Sequence, residues 1–304
     1  MTSRDEEYQW WVARFRGETG RLTSQDVDSV ATKRGRHGRL AAWAPYLLGA
    51  MAVWAAVLEL LTEDDAWNMV EIVMILAALV VVGIARWKKW HEDWVATRIL
   101  AELLRTQETM SGIIPGFDLS QTERMKPVFT IYGSEFWARA FAEYPKDAQM
   151  QSSSRSVEDI RDALLGLVKD QVGYHKRRIH RMERREQWLG GTTLALFAVS
   201  GFASLAHLLH LGGEDMAPLL GFFTAGLPAL AGALHAINKH EDPEHLAQVS
   251  RVMVRQLEEV REAIQAARSR QELERLARRT AEILAGDVLG WRTTVGVQEV
   301  EVPA

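Results

Sequence analysis

The sequence predicts an all-α membrane protein: four transmembrane helices in two hairpins, helical cytoplasmic extensions and a short extended C-terminal tail. Three observations carry that expectation. Four windows supply the roughly 20 apolar residues that a hydrocarbon core of about 30 Å demands. Every cationic flank falls on one side of the resulting four-pass arrangement. Trp43, Trp67, Trp87 and Trp188 stand close to window ends, where an apolar layer meets water.

Whole-chain averages conceal this pattern. A net charge of -4 and 25% charged residues over 304 positions resemble a soluble protein, but the charges are clustered. The start, MTSRDEEYQWW, is acidic and polar, so no cleavable signal peptide is expected. Cysteine is absent, which excludes disulfides, thiolate metal sites and cysteine nucleophiles. The overall charge gives no sign of a nucleic-acid partner.

Residues 1–39 form a cytoplasmic arm closed by Lys33, Arg34, Arg36 and Arg39. The first hairpin, residues 40–86, holds the windows Ala41–Leu61, charged only at Glu59, and Asn68–Ala85, charged only at Glu71. Arg86, Lys88 and Lys89 follow. Residues 87–187 read as a cytoplasmic helical region. Its opening, WKKWHEDWVATRILAELLRT, is expected to continue the second membrane helix until SGIIPGFD ends it. Ser120 with Glu123 reads as a capping box, in which each residue accepts a backbone N–H of the other. Ser134 is placed to cap a short helix through EFWARAFAEY, and residues 145–156 read as a loop. Ser156 with Asp159 then starts a long helix that runs into the third window.

The second hairpin, residues 188–238, holds the windows Trp188–Leu211 and Ala217–Ile237. Before it stand Lys176, Arg177, Arg178, Arg181, Arg184 and Arg185, and after it Lys239. Both short connectors, TEDDAW and GGEDM, carry acids and no Lys or Arg. The positive-inside rule therefore places both termini and the middle region in the cytoplasm. In residues 239–304, Asp242, Pro243 and Glu244 mark a helix start, so the membrane helix should break near Asn238–Glu241. Val249, Met253, Leu257, Val260, Ile264 and Ala267 then step by three or four residues in a coiled-coil-like stripe. Ser269 with Glu272 restarts it, and Leu273, Leu276, Thr280 and Ile283 continue it to about Gly286. The stripe needs a partner, from this chain or from another subunit. The tail WRTTVGVQEVEVPA alternates valines and is expected to be extended.

Gly221, Ala225, Ala229 and Ala233 recur every four residues and leave a smooth face for helix packing. Pro228 is tolerated there if a neighbouring helix satisfies the carbonyl it orphans. No phosphate loop, nucleophile elbow, zinc-protease helix or carboxylate pair stands in a credible context, so neither an enzyme nor a cofactor is expected. His207 and His210 with Glu214 or Asp215 are the nearest approach to a metal set, and no metal is expected from them. Tyr174, His175, Arg177, Arg178 and Arg181 suit an anionic ligand, though lipid head groups explain the basic run as well. Ionisable residues inside a membrane window are functional candidates by default. Glu59 and Glu71, with Glu63, Asp64 and Asp65, suit the acidic outer mouth of an oligomeric cation pore. Snorkelling into the outer interface is the plainer explanation.

Beyond these local readings, KDQVGYHKRRIHRMERREQW, GLPALAGALHAI and GDVLGWRTTVGVQEVEVPA resemble bacterial SLATT-type domains, the transmembrane effectors associated with SMODS nucleotidyltransferases and SLOG sensors. WVATRILAELLRT and SEFWARAFAEY look like the intervening region of the four-pass version. The resemblance implies a pore-forming or membrane-breaching effector of an antiviral defence system, with no catalytic residues. Partners would be membrane lipids, further copies of the chain, and a separately encoded nucleotide-sensing or SLOG/TIR-type protein, since no sensor domain is recognisable in this chain. The alternative reading is a membrane-anchored scaffold for a cytosolic sensor or enzyme.

Overall fold

The computed structural model describes residues 23–88, 90–144, 155–211, 213 and 216–295. Every regular element among them is helical. In chain order these are α1 (Ser24–Thr62), α2 (Ala66–Trp87), α3 (Trp90–Ile113), a 3-10 turn (Leu119–Gln121), α4 (Met125–Ile131), α5 (Phe136–Ala142), α6 (Val157–Leu208), α7 (Ala217–Glu241), α8 (Pro243–Ala266) and α9 (Arg270–Val295). Four helical stretches are long and apolar enough to cross a membrane: Ser24–Thr62, Ala66–Trp87, Val157–Leu208 and Ala217–Ala266. Two compact units share the chain. One comprises Met1–Gly35, His91–Ile179 and Gln248–Val297, the other Arg36–Trp90, His180–Ala247 and Gln298–Ala304.

The first unit is a helical core that buries the stripes. Met253, Leu257, Val260 and Ile264 of α8 and Leu273, Ala277 and Ala281 of α9 lie in one cluster with α3 and the first turns of α6. The chain itself therefore supplies the stripe's partner. Thr280, expected on the stripe, is fully buried and turns its hydroxyl onto the Leu276 carbonyl. Charges tie the helices at their margins. Arg98 of α3 reaches Asp28 at 2.7 Å and Glu102 at 2.5 Å, and Arg34 reaches Asp93 at 3.1 Å. The buried Gln107 amide donates to Phe117 O and accepts from Leu119 N, which pins the loop after α3.

The local start signals have mixed outcomes. Ser156 and Asp159 exchange the two expected bonds, each at 3.1 Å. Ser269 and Glu272 exchange theirs at 3.2 Å. Ser120 and Glu123 form no such box. Asp118 accepts from both the backbone N and the hydroxyl of Ser120, and α4 begins only at Met125. Nor does Ser134 cap α5, whose N-cap is Glu135 in an extended conformation. Breaks also differ from expectation. α2 ends at Trp87 with Lys88 in a turn, and α3 starts afresh at Trp90, so one continuous helix is replaced by two. The tail's Trp291–Val295 belongs to α9 and is helical, not extended. Residues 296–304, and residues 145–154 of the expected loop, lie outside the described residues.

The second unit is built from α2 and α7, most of α1 and the last half of α6. Specific polar and aromatic contacts join its helices. Trp54 of α1 donates its indole N–H to the Gly226 carbonyl at 2.7 Å and meets the Phe222 ring edge-on at 4.6 Å. Ser200 of α6 donates to the Thr224 carbonyl at 3.1 Å. That carbonyl is the one Pro228, four residues on and lacking an N–H, cannot engage. A neighbouring helix thus satisfies the orphan, which lets a proline stand inside α7. Asp242, at φ 42°, ends α7 in the left-handed conformation, and its carboxylate accepts from His245 N to start α8. The break falls at the end of the expected stretch. α2 is the least covered helix: only Val82 and Ala85 are buried, while Met69, Ile72, Val73, Leu76, Leu79 and Val80 face outward.

Candidate functional site

The acidic turn between α1 and α2 is one end of the second unit. Leu58 and Glu63 mark the end of α1: Thr62 bonds back to the Leu58 carbonyl, and Glu63 takes φ 55°. Asp64 then accepts from Ala66 N at 3.0 Å, an Asx turn that starts α2. Asp64 therefore has a local structural task, and Asp65 is its exposed neighbour. Glu59 and Glu71 are half-buried on the adjoining turns of α1 and α2. Within one chain Asp64 and Asp65 are open to the surroundings.

The opposite end is cationic. Arg36 and Glu59 are separated by about 35 Å along α1 at about 1.5 Å per residue, close to the thickness of a bilayer. At this end Arg185 of α6 forms an ion pair with Glu241 of α7, and its guanidinium lies 5.4 Å from the centre of the Trp43 ring of α1. Three helices thus meet on one arginine. A cation over an indole face at this distance is attracted by the ring quadrupole. Arg184, one residue earlier and about 100° around the helix, is exposed, as is Arg181.

The basic run before the third window divides by environment. His175 is 2% exposed and its Nδ1 has no hydrogen-bond partner. Burial holds its pKa down to about 4, with Arg178 adding repulsion, so the ring is neutral at pH 7. Arg178 lies 3.9 Å from Asp287 of α9. Burial pushes the Asp287 carboxyl above its ordinary range, Arg178 opposes the rise and Glu102 adds to it. Lys176 bonds Glu258 of α8 at 2.8 Å and holds that carboxyl below its usual range. Of the five residues proposed for an anionic ligand, His175 is therefore buried in the first unit and Arg178 is half-buried against Asp287. Tyr174, Arg177 and Arg181 remain at the surface.

The small-residue face is also placed differently from the i, i+4 row. Ala233 is buried, but Ala225 is exposed, Ala229 half-buried, and a Cβ at Gly221 would meet nothing within 4 Å. The close approach is at Gly226, where a Cβ would stand 3.0 Å from Trp54 Cε2. Gly226 and Trp54 are what the sequence reading missed. A signal existed: Trp54 sits mid-window, where its N–H has no water, so it must find an acceptor on another helix. His207 and His210 are exposed, and Glu214 and Asp215 lie outside the described residues. Among the described residues, no three His, Asp or Glu side chains are grouped to hold a metal. Comparison with protein-family models, with curated proteins and with solved structures finds no match to this chain.

Proposed function

We propose that this chain is a multipass effector of a bacterial nucleotide-signalling, anti-phage defence system. It sits in the inner membrane with both termini cytoplasmic, its spans arranged as two hairpins. Triggered by a separate sensor, it oligomerises and opens a pore or breaches the bilayer. The observation that carries this reading is α2, a 22-residue apolar helix with only Val82 and Ala85 buried and most of its large apolar side chains exposed. In water that surface is untenable, so lipid or another subunit must cover it. Because the stripes of α8 and α9 are already buried within the chain, assembly falls to the spans. α6, unbroken from Val157 to Leu208, is the element along which a cytoplasmic trigger would pass as a tilt or rotation. Assembly would bring Glu59, Glu71, Asp64 and Asp65 of several copies into an acidic mouth.

Dye entry and depolarisation after co-expression with an activated sensor test the proposal; intact potential at toxic expression levels rejects it. Glu59→Gln with Glu71→Gln should shift the reversal potential, and unchanged cation selectivity removes the acidic mouth. The closed core of the first unit favours a second reading, a membrane-anchored scaffold. That reading requires span substitutions to be silent while the cytoplasmic helices alone retain the partner.

A further inference from the structure

The cationic end of the second unit carries two kinds of basic residue, and the structure separates them. Arg185 points inward, spent on Glu241 and Trp43. Arg36 of α1, Lys88 after α2, and Arg181 and Arg184 of α6 are exposed. Beside them stand exposed tryptophans, Trp87 at 80% and Trp188 at 67%. The Trp43 ring over Arg185 sets these two points, within α1 and α6, level with one another. Along α6, Arg184 lies about 6 Å and Arg181 about 10 Å beyond Trp188. A head-group layer is about 5–8 Å deep on each side of the hydrocarbon. With an indole at the hydrocarbon boundary, these two guanidinium groups fall at the depth of phosphate oxygens and just past them.

Guanidinium presents donors in a planar fork that matches a phosphate. The acids on the same turns of α6, Glu183 and Glu186, are half-buried, whereas the far end of the unit exposes Glu63, Asp64 and Asp65 and no Lys or Arg. The unit is thus polarised for two chemically different surfaces. We propose that this exposed girdle selectively binds the head groups of anionic phospholipids in the leaflet at the cationic end. The proposal rests on the membrane reading and names the lipid class that reading requires. Clustered juxtamembrane cations each contribute about a fivefold preference near an anionic surface.

Spin-labelled lipids test it on the full chain reconstituted in phosphatidylcholine vesicles, with labelled phosphatidylglycerol or phosphatidylcholine as the probe. The chain should select phosphatidylglycerol by about threefold or more. Selectivity should vanish in R36Q/K88Q/R181Q/R184Q and persist in R36K/R181K/R184K. A salt arm needs no substitution: raising ionic strength from about 0.1 M to 1 M shortens screening from about 10 Å to 3 Å and should weaken the selection. Equal selectivity in the glutamine variant, or no salt dependence in the wild-type chain, overturns the proposal. Added inorganic phosphate or RNA that abolishes selection would assign the girdle to a soluble anion and overturns it too. Flotation of the vesicles reports insertion separately, so loss of the membrane reading is seen as unbound protein, not as lost selectivity.

Discussion

At the scale of single residues, two positions set testable energetics. His175 is buried and neutral, with a pKa near 4 against an ordinary 6.5. Between those values the unfolded chain binds a proton that the folded chain does not, so stability falls as pH falls through 6.5 and levels off below about 4. The full interval corresponds to on the order of 3 kcal/mol. We expect His175→Leu to flatten that part of the pH dependence, read as the unfolding midpoint in detergent; an unchanged slope contradicts a neutral buried ring. Gly226 is the second. Its Cβ would press on a tryptophan already fixed by a 2.7 Å bond, so the ring cannot simply swing away. Gly226→Ala should cost about 1–3 kcal/mol despite the better helix propensity of alanine. A variant with a raised midpoint contradicts the close contact. His175 was legible as a residue of the basic run but not as a core residue. Its apolar neighbours Val168 and Val172 lie on the same α6 face, where only the fold shows what covers them.

Elements follow local rules where the local partner has no rival. Ser156 with Asp159 and Ser269 with Glu272 bond as the spacing dictates. Ser120 with Glu123 has the same spacing, yet Asp118 stands two residues earlier and takes the Ser120 donors first. The stop between α2 and α3 had no glycine or proline to announce it, and a continuous helix was the natural reading. Likewise the i, i+4 row of small residues identifies α7 as a packing helix but not its azimuth, which Trp54 decides. The proline at 228 is the best-supported element-scale feature, because the carbonyl it frees has a visible donor. Ser200→Ala should lower the stability of the second unit by about 1 kcal/mol, since the Thr224 carbonyl then lacks a partner in an apolar setting. Restoring stability with Pro228→Ala in the same chain would support the coupling; additive losses would refute it.

For the whole molecule, the four-window pattern was readable because a bilayer imposes length and polarity on a segment regardless of its neighbours. Packing between segments was not, because it depends on which faces meet. The central claim is that four spans leave every cationic border and both termini on one side. The chain contains no cysteine, so single introduced thiols report sidedness without background. Asp65→Cys in the acidic turn, Ser153→Cys in the middle region and Val302→Cys near the end should be expressed separately in intact cells. A membrane-impermeant maleimide should label Asp65→Cys at once, and Ser153→Cys and Val302→Cys only after the membrane is opened. Labelling of Ser153→Cys and Val302→Cys from opposite sides, or recovery of the chain in the supernatant without detergent, contradicts the account.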